Sequence, residues 1–308
     1  MRLAAIDIGT NSTKMIVADV SDSGLLTVVD EQSDVTRLGE GVASSRRLSD
    51  AAMVRTLEAI VRFAEAARAL GTETVLGAGT SALRDAANGS EFIAQVKEKS
   101  GVEVQIITGD REAHLAYAAV RSDSSLHIPD DAALLVFDIG GGSTELILGY
   151  ATGVGRFKSL DIGAVRLTER FLKSDPPSLH ELAQARQFAS DSFATFPTPD
   201  VPPLIAGIGG TALNIVAVTQ GLAKPDPDAV HGKSLFHAEV SAAFDRFAHV
   251  SLADRRTIPG LELKRADVIT AGALILDTLL TYFKTDHFLL SARGLRYGLL
   301  ADYAKTSK

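Results

Sequence analysis

Hydrophobic and polar positions alternate with two different periods along this chain, which predicts strands and helices in turn. Short apolar runs bounded by glycine or polar clusters predict buried strands at Leu3–Ile6, Thr74–Ala78, Val102–Ile107, Ala133–Phe137, Leu204–Ile208 and Phe288–Leu290. Apolar residues spaced three and four apart predict helices at Ser49–Leu70, Glu91–Lys99, Arg111–Val120, Ala164–Leu172, Leu179–Phe196, Thr211–Gln220, Ala238–His249, Ala266–Phe283 and near Leu295–Tyr303. This order of elements is typical of an α/β protein.

The helix predicted over Ser49–Leu70 has the clearest pattern. Its apolar positions form one face: Met53, Leu57, Ile60, Ala64 and Ala67. Ser49 can accept a hydrogen bond from the first helical turn, and Gly71 can adopt the left-handed conformation that ends a helix. We therefore expect a long amphipathic helix with defined caps at both ends.

One heptapeptide pattern occurs twice. Asp7–Thr13 and Asp138–Thr144 share Asp, Ile, Gly, Ser and Thr in register. A strand-like run precedes each copy, and another follows at Met15–Val20 and at Leu146–Leu148. Each copy thus predicts a β-hairpin with a glycine turn, and the repeat predicts two similar α/β domains that face each other.

A polar segment, Arg121–Asp131, marks the predicted domain boundary. We assign residues 1–125 to the first domain and residues 126–292 to the second. The last stretch, about residues 293–308, is predicted to be a helix that packs back on the first domain.

Composition and charge narrow the function. The chain has 308 residues, 46% of them hydrophobic, and no cysteine, which removes disulfides, thiolate catalysis and cysteine-based zinc sites. A net charge of −7 argues against sequence-independent nucleic-acid binding. No apolar run is long enough to span a bilayer, and Asp7 interrupts any secretory signal. We expect a cytoplasmic protein with neither a membrane nor a nucleic-acid partner.

The two loops have the chemistry of phosphate sites. Glycine lets backbone N–H groups converge on an anion, and Ser and Thr add hydroxyl donors. The aspartate before each loop can hold Mg²⁺, which neutralises phosphate charge. A third glycine turn, Gly207–Thr211, lies between a predicted strand and a helix, where it either binds a further phosphate or only packs tightly.

Glu112 lies in the first turn of a predicted helix, so on its own it fits either of two roles. It can complement the helix dipole, or it can accept a proton from an attacking water. Glu145 directly follows the second loop and shares a strand face with Ile147. Several cations lie close to predicted loops or helix starts: Lys14, Arg84, Arg265, Arg293 and Arg296.

An ordered set of motifs carries a more specific resemblance. The set comprises Asp7–Thr13, Gly79–Arg84, Ile106–Leu115, Asp138–Glu145, Gly207–Thr211, Arg265–Asp267 and Ser291–Gly298. It resembles the exopolyphosphatase/guanosine pentaphosphate phosphohydrolase (Ppx/GppA) family of the actin/hexokinase/Hsp70 superfamily, over nearly the whole chain. The resemblance implies two actin-like (ribonuclease H-like) α/β domains facing an interdomain cleft.

The same resemblance assigns roles to individual residues. It implies that Glu112 is the catalytic base and that Glu145 assists as a second catalytic or metal-orienting carboxylate. Asp7, Asp138 and Glu145 would bind Mg²⁺ or Mn²⁺. Phosphate would contact Thr10, Asn11, Ser12, Lys14, Arg84, Gly140, Gly141, Gly142, Ser143, Thr144, Gly209, Gly210, Thr211, Arg265 and Arg293.

Two positions depart from the family pattern. Arg111 stands where the family has a first glutamate before the catalytic one, so any role of that carboxylate is absent here. Tyr297 stands where glutamate is frequent, which leaves open whether the family's contact at that position is made.

The leading hypothesis is therefore metal-assisted release of terminal orthophosphate from inorganic polyphosphate. Larger members carry an extra C-terminal helical domain, and its absence from these 308 residues favours short chains as substrates. The alternatives are hydrolysis of pppGpp, an ATP-dependent kinase of the same fold, and a non-catalytic alarmone-binding sensor or actin-like scaffold. The expected ligand is inorganic polyphosphate or a guanosine polyphosphate, and the family also makes a homodimer plausible.

Overall fold

A computed structural model describes residues 1–21, 25–199 and 203–306. The chain divides into two compact units. Unit 1 is formed by Met1–Ala119 and by the C-terminal segment that begins at Arg293, and unit 2 is formed by Val120–Ala292. The polar segment Arg121–Asp131, proposed above as the boundary, follows the first division directly.

The described part of unit 1 contains five strands and six helices, and only the last of these helices follows unit 2 in the chain. Its elements are β1 (Arg2–Ile8), β2 (Thr13–Val20), β3 (Leu26–Asp34), α1 (Val42–Ser45), α2 (Asp50–Ala69), β4 (Thr74–Gly79), α3 (Ser81–Asp85), α4 (Gly89–Ser100), β5 (Glu103–Ile106), α5 (Gly109–Arg121, which runs on into unit 2) and, at the end of the chain, α13 (Leu295–Thr306).

The sheet of unit 1 has the order β3-β2-β1-β4-β5 and is covered on both faces. The first three strands are antiparallel, whereas β1, β4 and β5 are parallel. Ala4, Ile6 and Ile8 of β1 pack with residues of α2 and α4. The alternate residues Leu3 and Ala5 pack with α13, as expected for a strand buried on both sides.

Unit 2 repeats this plan and extends it. Its elements are β6 (Leu134–Ile139), β7 (Thr144–Tyr150), β8 (Gly153–Leu160), α6 (Ala164–Phe171), α7 (Leu179–Phe193), β9 (Leu204–Ile208), α8 (Gly209–Thr219), α9 (Pro227–Val230), β10 (Ser234–Phe236), α10 (His237–Ala248), α11 (Leu252–Arg255), α12 (Ile269–Phe283) and β11 (His287–Leu290). Its sheet has the order β10-β11-β9-β6-β7-β8. Read from the other edge, β8-β7-β6-β9-β11 corresponds strand by strand to β3-β2-β1-β4-β5 of unit 1.

The two sheets even share an irregularity. The pairing of the second strand with the third shifts register after Val17 in unit 1 and after Leu148 in unit 2. Both are the fifth residue of their strand, and a bulge at one place in two copies is a designed feature of the fold. The prediction of an α/β fold built from two similar halves is confirmed.

Several element predictions are confirmed in detail. The side chain of Ser49 caps α2 by accepting from the N–H of Ala52, and Gly71 has a φ of 76° just after the helix. Both glycine loops join antiparallel strands, so both hairpins are present. No helix in the described part of the chain is both long and apolar enough to cross a bilayer.

One helix boundary was wrong. The apolar run from Ala266 predicts that Arg265 opens the long helix, but α12 begins only at Ile269. Leu263–Arg265 instead form a separate 3₁₀ turn, in which the N–H of Arg265 donates to the carbonyl of Glu262. A continuous apolar pattern cannot distinguish such a turn from the helix that follows. The sequence analysis also missed β3 and β8, strands in which almost no residue is buried.

A buried carboxylate ties α12 to its neighbours in unit 2. Asp277 Oδ2 accepts from Arg186 of α7 at 2.5 Å, and its Oδ1 accepts from Ser241 of α10 at 2.5 Å and lies 3.1 Å from His237 Nε2. Burial, the largest single influence, raises the pKa of the Asp277 carboxyl. The hydrogen bonds from Ser241 and Arg186 together outweigh burial and hold that pKa below its ordinary value.

We expect Asp277→Asn to lower the free energy of unfolding by about 1–3 kcal/mol, because it leaves Arg186 and His237 partly buried without a carboxylate. A carboxyl with a lowered folded-state pKa stabilises the fold above its unfolded pKa and loses this effect as the pH falls through the folded one. Urea unfolding should therefore show a large difference between variant and wild type at neutral pH and a small one in acid. Asp286→Asn, at an exposed pair with His287, is the matched control and should leave the midpoint unchanged.

Candidate functional site

The first glycine loop, which joins β1 to β2, is closed by its own backbone. The N–H of Gly9 donates to the carbonyl of Ser12 at 3.1 Å. A Cβ on Gly9 would lie only 2.9 Å from that same carbonyl oxygen. A side chain at Gly9 would therefore open the turn, which explains why the loop has glycine at this place.

A segment after β3 holds this loop from outside. The N–H groups of Arg37 and Gly39 donate to the carbonyls of Asn11 and Thr10, each at 2.9 Å. Arg37 has a φ of 53°, a conformation that residues other than glycine rarely adopt. The sequence analysis missed this segment. Its signal, a polar stretch with two glycines at residues 36–41, does not reveal which loop it contacts.

Asn11 is the most informative residue of the loop. The residue is buried, with a relative exposure of only 6%. Neither Oδ1 nor Nδ2 has a hydrogen-bond partner among the described residues. A buried amide without partners costs stability, so its presence between tightly held neighbours points to a ligand that supplies them.

The second glycine loop joins β6 to β7 and is held by a different element. The N–H of Gly140 donates to the carbonyl of Ser143 at 3.0 Å, which repeats the turn of the first loop. The carbonyls of Gly140 and Gly141 accept from the first residues of α6. A Cβ on Gly163, just before α6, would lie 2.4 Å from the Gly141 oxygen, so this close approach requires glycine.

The residues that face each aspartate across its hairpin differ between the two units. Asp7 is paired in register with Lys14, whereas Asp138 is paired with Glu145. Residues directly opposite on antiparallel strands point to the same face and lie close together. In unit 1 a carboxylate therefore faces an ammonium group, whereas in unit 2 two carboxylates face each other. Glu145 is 4% exposed and accepts from Ser159 Oγ at 2.8 Å.

The third glycine turn packs against two of the predicted site residues in unit 2. A Cβ on Gly209 would lie 2.2 Å from Asp138 Oδ1, and one on Gly210 would lie 2.4 Å from the guanidinium of Arg265. Arg265 also donates to Glu262 at 2.7 Å, and Thr211 donates to the carbonyl of Ile139 at 2.8 Å. These glycines thus bring the Asp138 carboxylate and the Arg265 guanidinium to the start of α8.

Glu112 and Arg84 form an ion pair in unit 1. Arg84 Nη1 donates to Glu112 Oε2 at 2.7 Å and to the carbonyl of Ile107 at 3.0 Å. Both side chains are mostly buried, with exposed fractions of 22% for Arg84 and 16% for Glu112. Glu112 lies in the first turn of α5, as predicted, where the helix dipole also favours a carboxylate.

Backbone bonds beyond the strand ends bring these loops to one sheet edge in each unit. In unit 1 the N–H of Thr80 reaches the carbonyl of Ile8, and the N–H of Ile107 reaches that of Gly79. The first loop, the Arg84 segment and the Glu112 segment therefore follow adjacent parallel strands. In unit 2 the N–H of Ser291 reaches the carbonyl of Gly207 in the same way. Ligand sites of α/β sheets commonly lie at such carboxyl ends.

The C-terminal segment gives Arg293 a defined neighbour. Its guanidinium carbon lies 5.7 Å from the ring centroid of Tyr297, within cation–π range. Burial raises the pKa of the Tyr297 hydroxyl, and the charge of Glu31 adds to this effect. Arg296 also contacts Glu31 at 3.3 Å and the carbonyl of Met15 at 2.6 Å. Tyr297, which departs from the family pattern, therefore takes part in a buried charged cluster in unit 1.

The donor set in unit 2 fits a hard divalent cation. Among the residues that the structure describes, no three His, Cys, Asp or Glu side chains are grouped so as to hold a metal ion. Magnesium, however, is often held by one or two carboxylates together with substrate phosphates and water. Asp138 and Glu145 supply two carboxylates on one sheet face, whereas Asp7 has a lysine opposite it.

Comparisons with known proteins agree with this architecture. The model of the Ppx/GppA phosphatase family matches residues 5–307. Exopolyphosphatase 2 of Mycobacterium tuberculosis is 34% identical over 291 residues, which cover 90% of this chain and 89% of that protein. A guanosine-5'-triphosphate,3'-diphosphate pyrophosphatase of Vibrio atlanticus is 30% identical over 301 residues, which cover 96% of this chain and 58% of that protein.

A solved structure extends the agreement to the fold. The crystal structure of the Aquifex aeolicus Ppx/GppA family member has a TM-score of 0.83 and is 33% identical, with 100% of this chain and 99% of that chain covered. Since the family model matches almost every residue and the relatives share the fold, this chain belongs to the Ppx/GppA phosphatase family.

Proposed function

We propose that this protein releases terminal orthophosphate from inorganic polyphosphate by water attack on the last phosphoanhydride bond. The observation that carries the proposal is the Glu112–Arg84 pair at the sheet edge that also bears the loop with Asn11. The edge combines a proton acceptor, a guanidinium and a buried amide, all of which suit a condensed phosphate. The polyphosphate substrate is supported by the likeness to exopolyphosphatase 2 of Mycobacterium tuberculosis.

In this proposal Glu112 accepts a proton from the attacking water. The water oxygen forms a bond to the terminal phosphorus, and the bond from that phosphorus to the bridging oxygen breaks. The shortened chain leaves with the negative charge on its new terminal oxygen. Arg84 and Lys14 supply positive charge, and Asn11 supplies hydrogen bonds to phosphate oxygens. Unit 2 offers a second cradle formed by Gly140–Thr144 and Arg265.

A divalent cation, Mg²⁺ or Mn²⁺, would neutralise charge on the phosphate oxygens. We propose that the facing carboxylates Asp138 and Glu145 hold it. Asp7 is the weaker candidate, because Lys14 lies opposite it in the hairpin register and supplies positive charge there. This division refines the sequence-based expectation that all three carboxylates bind the metal. The predictions of a homodimer and of a cytoplasmic protein stay predictions.

A second candidate substrate is pppGpp. It is favoured by the 30% identity to the Vibrio atlanticus protein, whose name describes action on guanosine-5'-triphosphate,3'-diphosphate. The chemistry at the terminal phosphate is the same in both cases, so the residues named above would serve either substrate. The non-catalytic sensor of the sequence analysis would bind such a ligand without releasing phosphate.

Purified protein with Mg²⁺ should release orthophosphate from polyphosphate faster than from pppGpp, and a chelator should stop the release. A colorimetric phosphate assay over tripolyphosphate, long polyphosphate and pppGpp measures this directly. Faster release from pppGpp would make the second candidate the function. Tight binding of any of these ligands without release would establish the sensor instead.

Glu112→Gln should lower kcat by about 10²–10⁴-fold, the usual contribution of a general base, while ligand binding is retained. The pair of measurements is phosphate release and calorimetric binding of a non-hydrolysable imidotriphosphate. Asp110→Asn is the matched control, because Asp110 lies in the same turn of α5 with an exposed side chain near His114. If the glutamine variant turns over at the wild-type rate, Glu112 is not the base.

Asn11→Ala should weaken imidotriphosphate binding without lowering stability, because the amide has no described protein partner to lose. Asn88 provides the contrast. It is equally buried, and its amide bonds both the N–H and the carbonyl of Leu48. Asn88→Ala should therefore lower the free energy of unfolding by about 1–3 kcal/mol.

Thermal melting of both alanine variants measures the stability, and calorimetric titration with imidotriphosphate measures the binding. A large loss of stability in Asn11→Ala, or unchanged ligand binding, would show that Asn11 only supports the loop.

A further inference from the structure

Arg84 uses only one side of its guanidinium in the structure. Both of its hydrogen bonds, to Ile107 and to Glu112, come from Nη1, which has two N–H groups and is thereby fully used. No bond from Nε or Nη2 to the described residues is present, although only 22% of the side chain is exposed. The edge formed by Nε and Nη2 is the fork that binds two oxygens of one carboxylate or phosphate.

The backbone around Arg84 fixes where this fork lies. Its N–H donates to the carbonyl of Thr80, and the N–H of Thr80 donates to Ile8, two residues before Thr10 of the first loop. Its Nη1 is fixed to the Ile107 carbonyl, which precedes α5. The guanidinium is therefore anchored both to the loop segment and to the segment that carries Glu112.

We propose that Arg84 is a bridge that holds the base and the terminal phosphate at the same time. Nη1 keeps its hydrogen bond to Glu112, while Nε and Nη2 bind two oxygens of the phosphate under attack. One planar group would then fix the position of the proton acceptor relative to the phosphorus, which is the geometry that water attack requires. This inference rests on the proposed function, because it takes Glu112 as the base.

The bridge differs in a measurable way from a simple exchange of partners. If Arg84 instead left Glu112 when it bound the phosphate, its positive charge would stabilise the Glu112 carboxylate only in the free protein. In the bridge, the charge stays beside Glu112 after substrate binds. The pH dependence of kcat/KM reports the free protein and that of kcat reports the substrate complex, so the two profiles separate these cases.

The charged neighbours of Glu112 on α5 have partners of their own. On α5 itself, Asp110 lies next to His114, and Arg111 pairs with Asp302 of α13. Arg111 precedes Glu112 directly but bonds away from it. Arg111→Met is therefore the matched control: it removes one positive charge from the same helical turn without removing the contact to Glu112.

The experiment compares Arg84→Met, Arg84→Lys and Arg111→Met with wild type, using tripolyphosphate and Mg²⁺ across pH. Loss of the neighbouring cation makes Glu112 harder to ionise, so in Arg84→Met the acid limbs of both kcat and kcat/KM should move up by about 1 pH unit. Its kcat should fall at least about tenfold, because the base and phosphate lose their common anchor.

Arg84→Lys should return the acid limbs toward wild type, because it restores the charge. Its kcat should stay low, since an ammonium group cannot bind Glu112 and two phosphate oxygens together. Arg111→Met should move neither limb. A shift confined to kcat/KM would overturn the bridge in favour of exchange, and no shift in either profile would remove the link between Arg84 and the base.

A direct titration covers variants that turn over too slowly. The ¹³C signal of the Glu112 carboxyl, assigned by its loss in Glu112→Gln, can be followed with and without imidotriphosphate. The bridge predicts a higher pKa in Arg84→Met than in wild type in both states, and equal values in the bound state would contradict it. Failure of the proposed function is a separate result, namely no phosphate release by the wild-type protein.

Discussion

Backbone hydrogen bonds that continue past the ends of parallel strands hold both candidate sites together. Thr80 to Ile8 and Ile107 to Gly79 in unit 1, and Ser291 to Gly207 in unit 2, extend the sheet ladder by one residue. Because of them, loops that are far apart in the chain leave the sheet side by side. The polar groups of a site can then come from several loops while the buried strands supply the rigidity.

The two hairpins, α2 and the third glycine turn were predictable because each has a local signal, either a repeat, a period or a glycine at a strand end. The segment at Arg37 and Gly39 was not, since its contacts to the first loop join residues with no pattern in common. The pairing of Arg84 with Glu112 spans 28 positions and has the same difficulty. The contrast of Lys14 with Glu145 was visible in the two aligned loops, and only the strand register gives it meaning.

Duplication followed by divergence of charge gives the two units different chemistry on one scaffold. The hairpins, the bulges and the order of five strands are the same in both halves, and unit 2 adds β10 at one edge. One position beyond each loop differs in charge. Lys14 places a cation opposite Asp7, whereas Glu145 places a second carboxylate opposite Asp138. The supports of the two loops diverged as well, because an irregular segment holds the first and the start of α6 holds the second.

The packing of α13 on the first strands has a consequence for the synthesis of the protein. Leu3, Ala5, Ile16 and Ala18 form an apolar face that is closed by Tyr297, Leu300 and Ala304. Arg296 reaches the carbonyl of Met15 across 281 positions. At about 5–20 residues per second, translation of that interval takes on the order of tens of seconds. During that time the nascent chain exposes an unfinished sheet face, so unit 1 reaches its native packing only after the sequence of unit 2 has been translated.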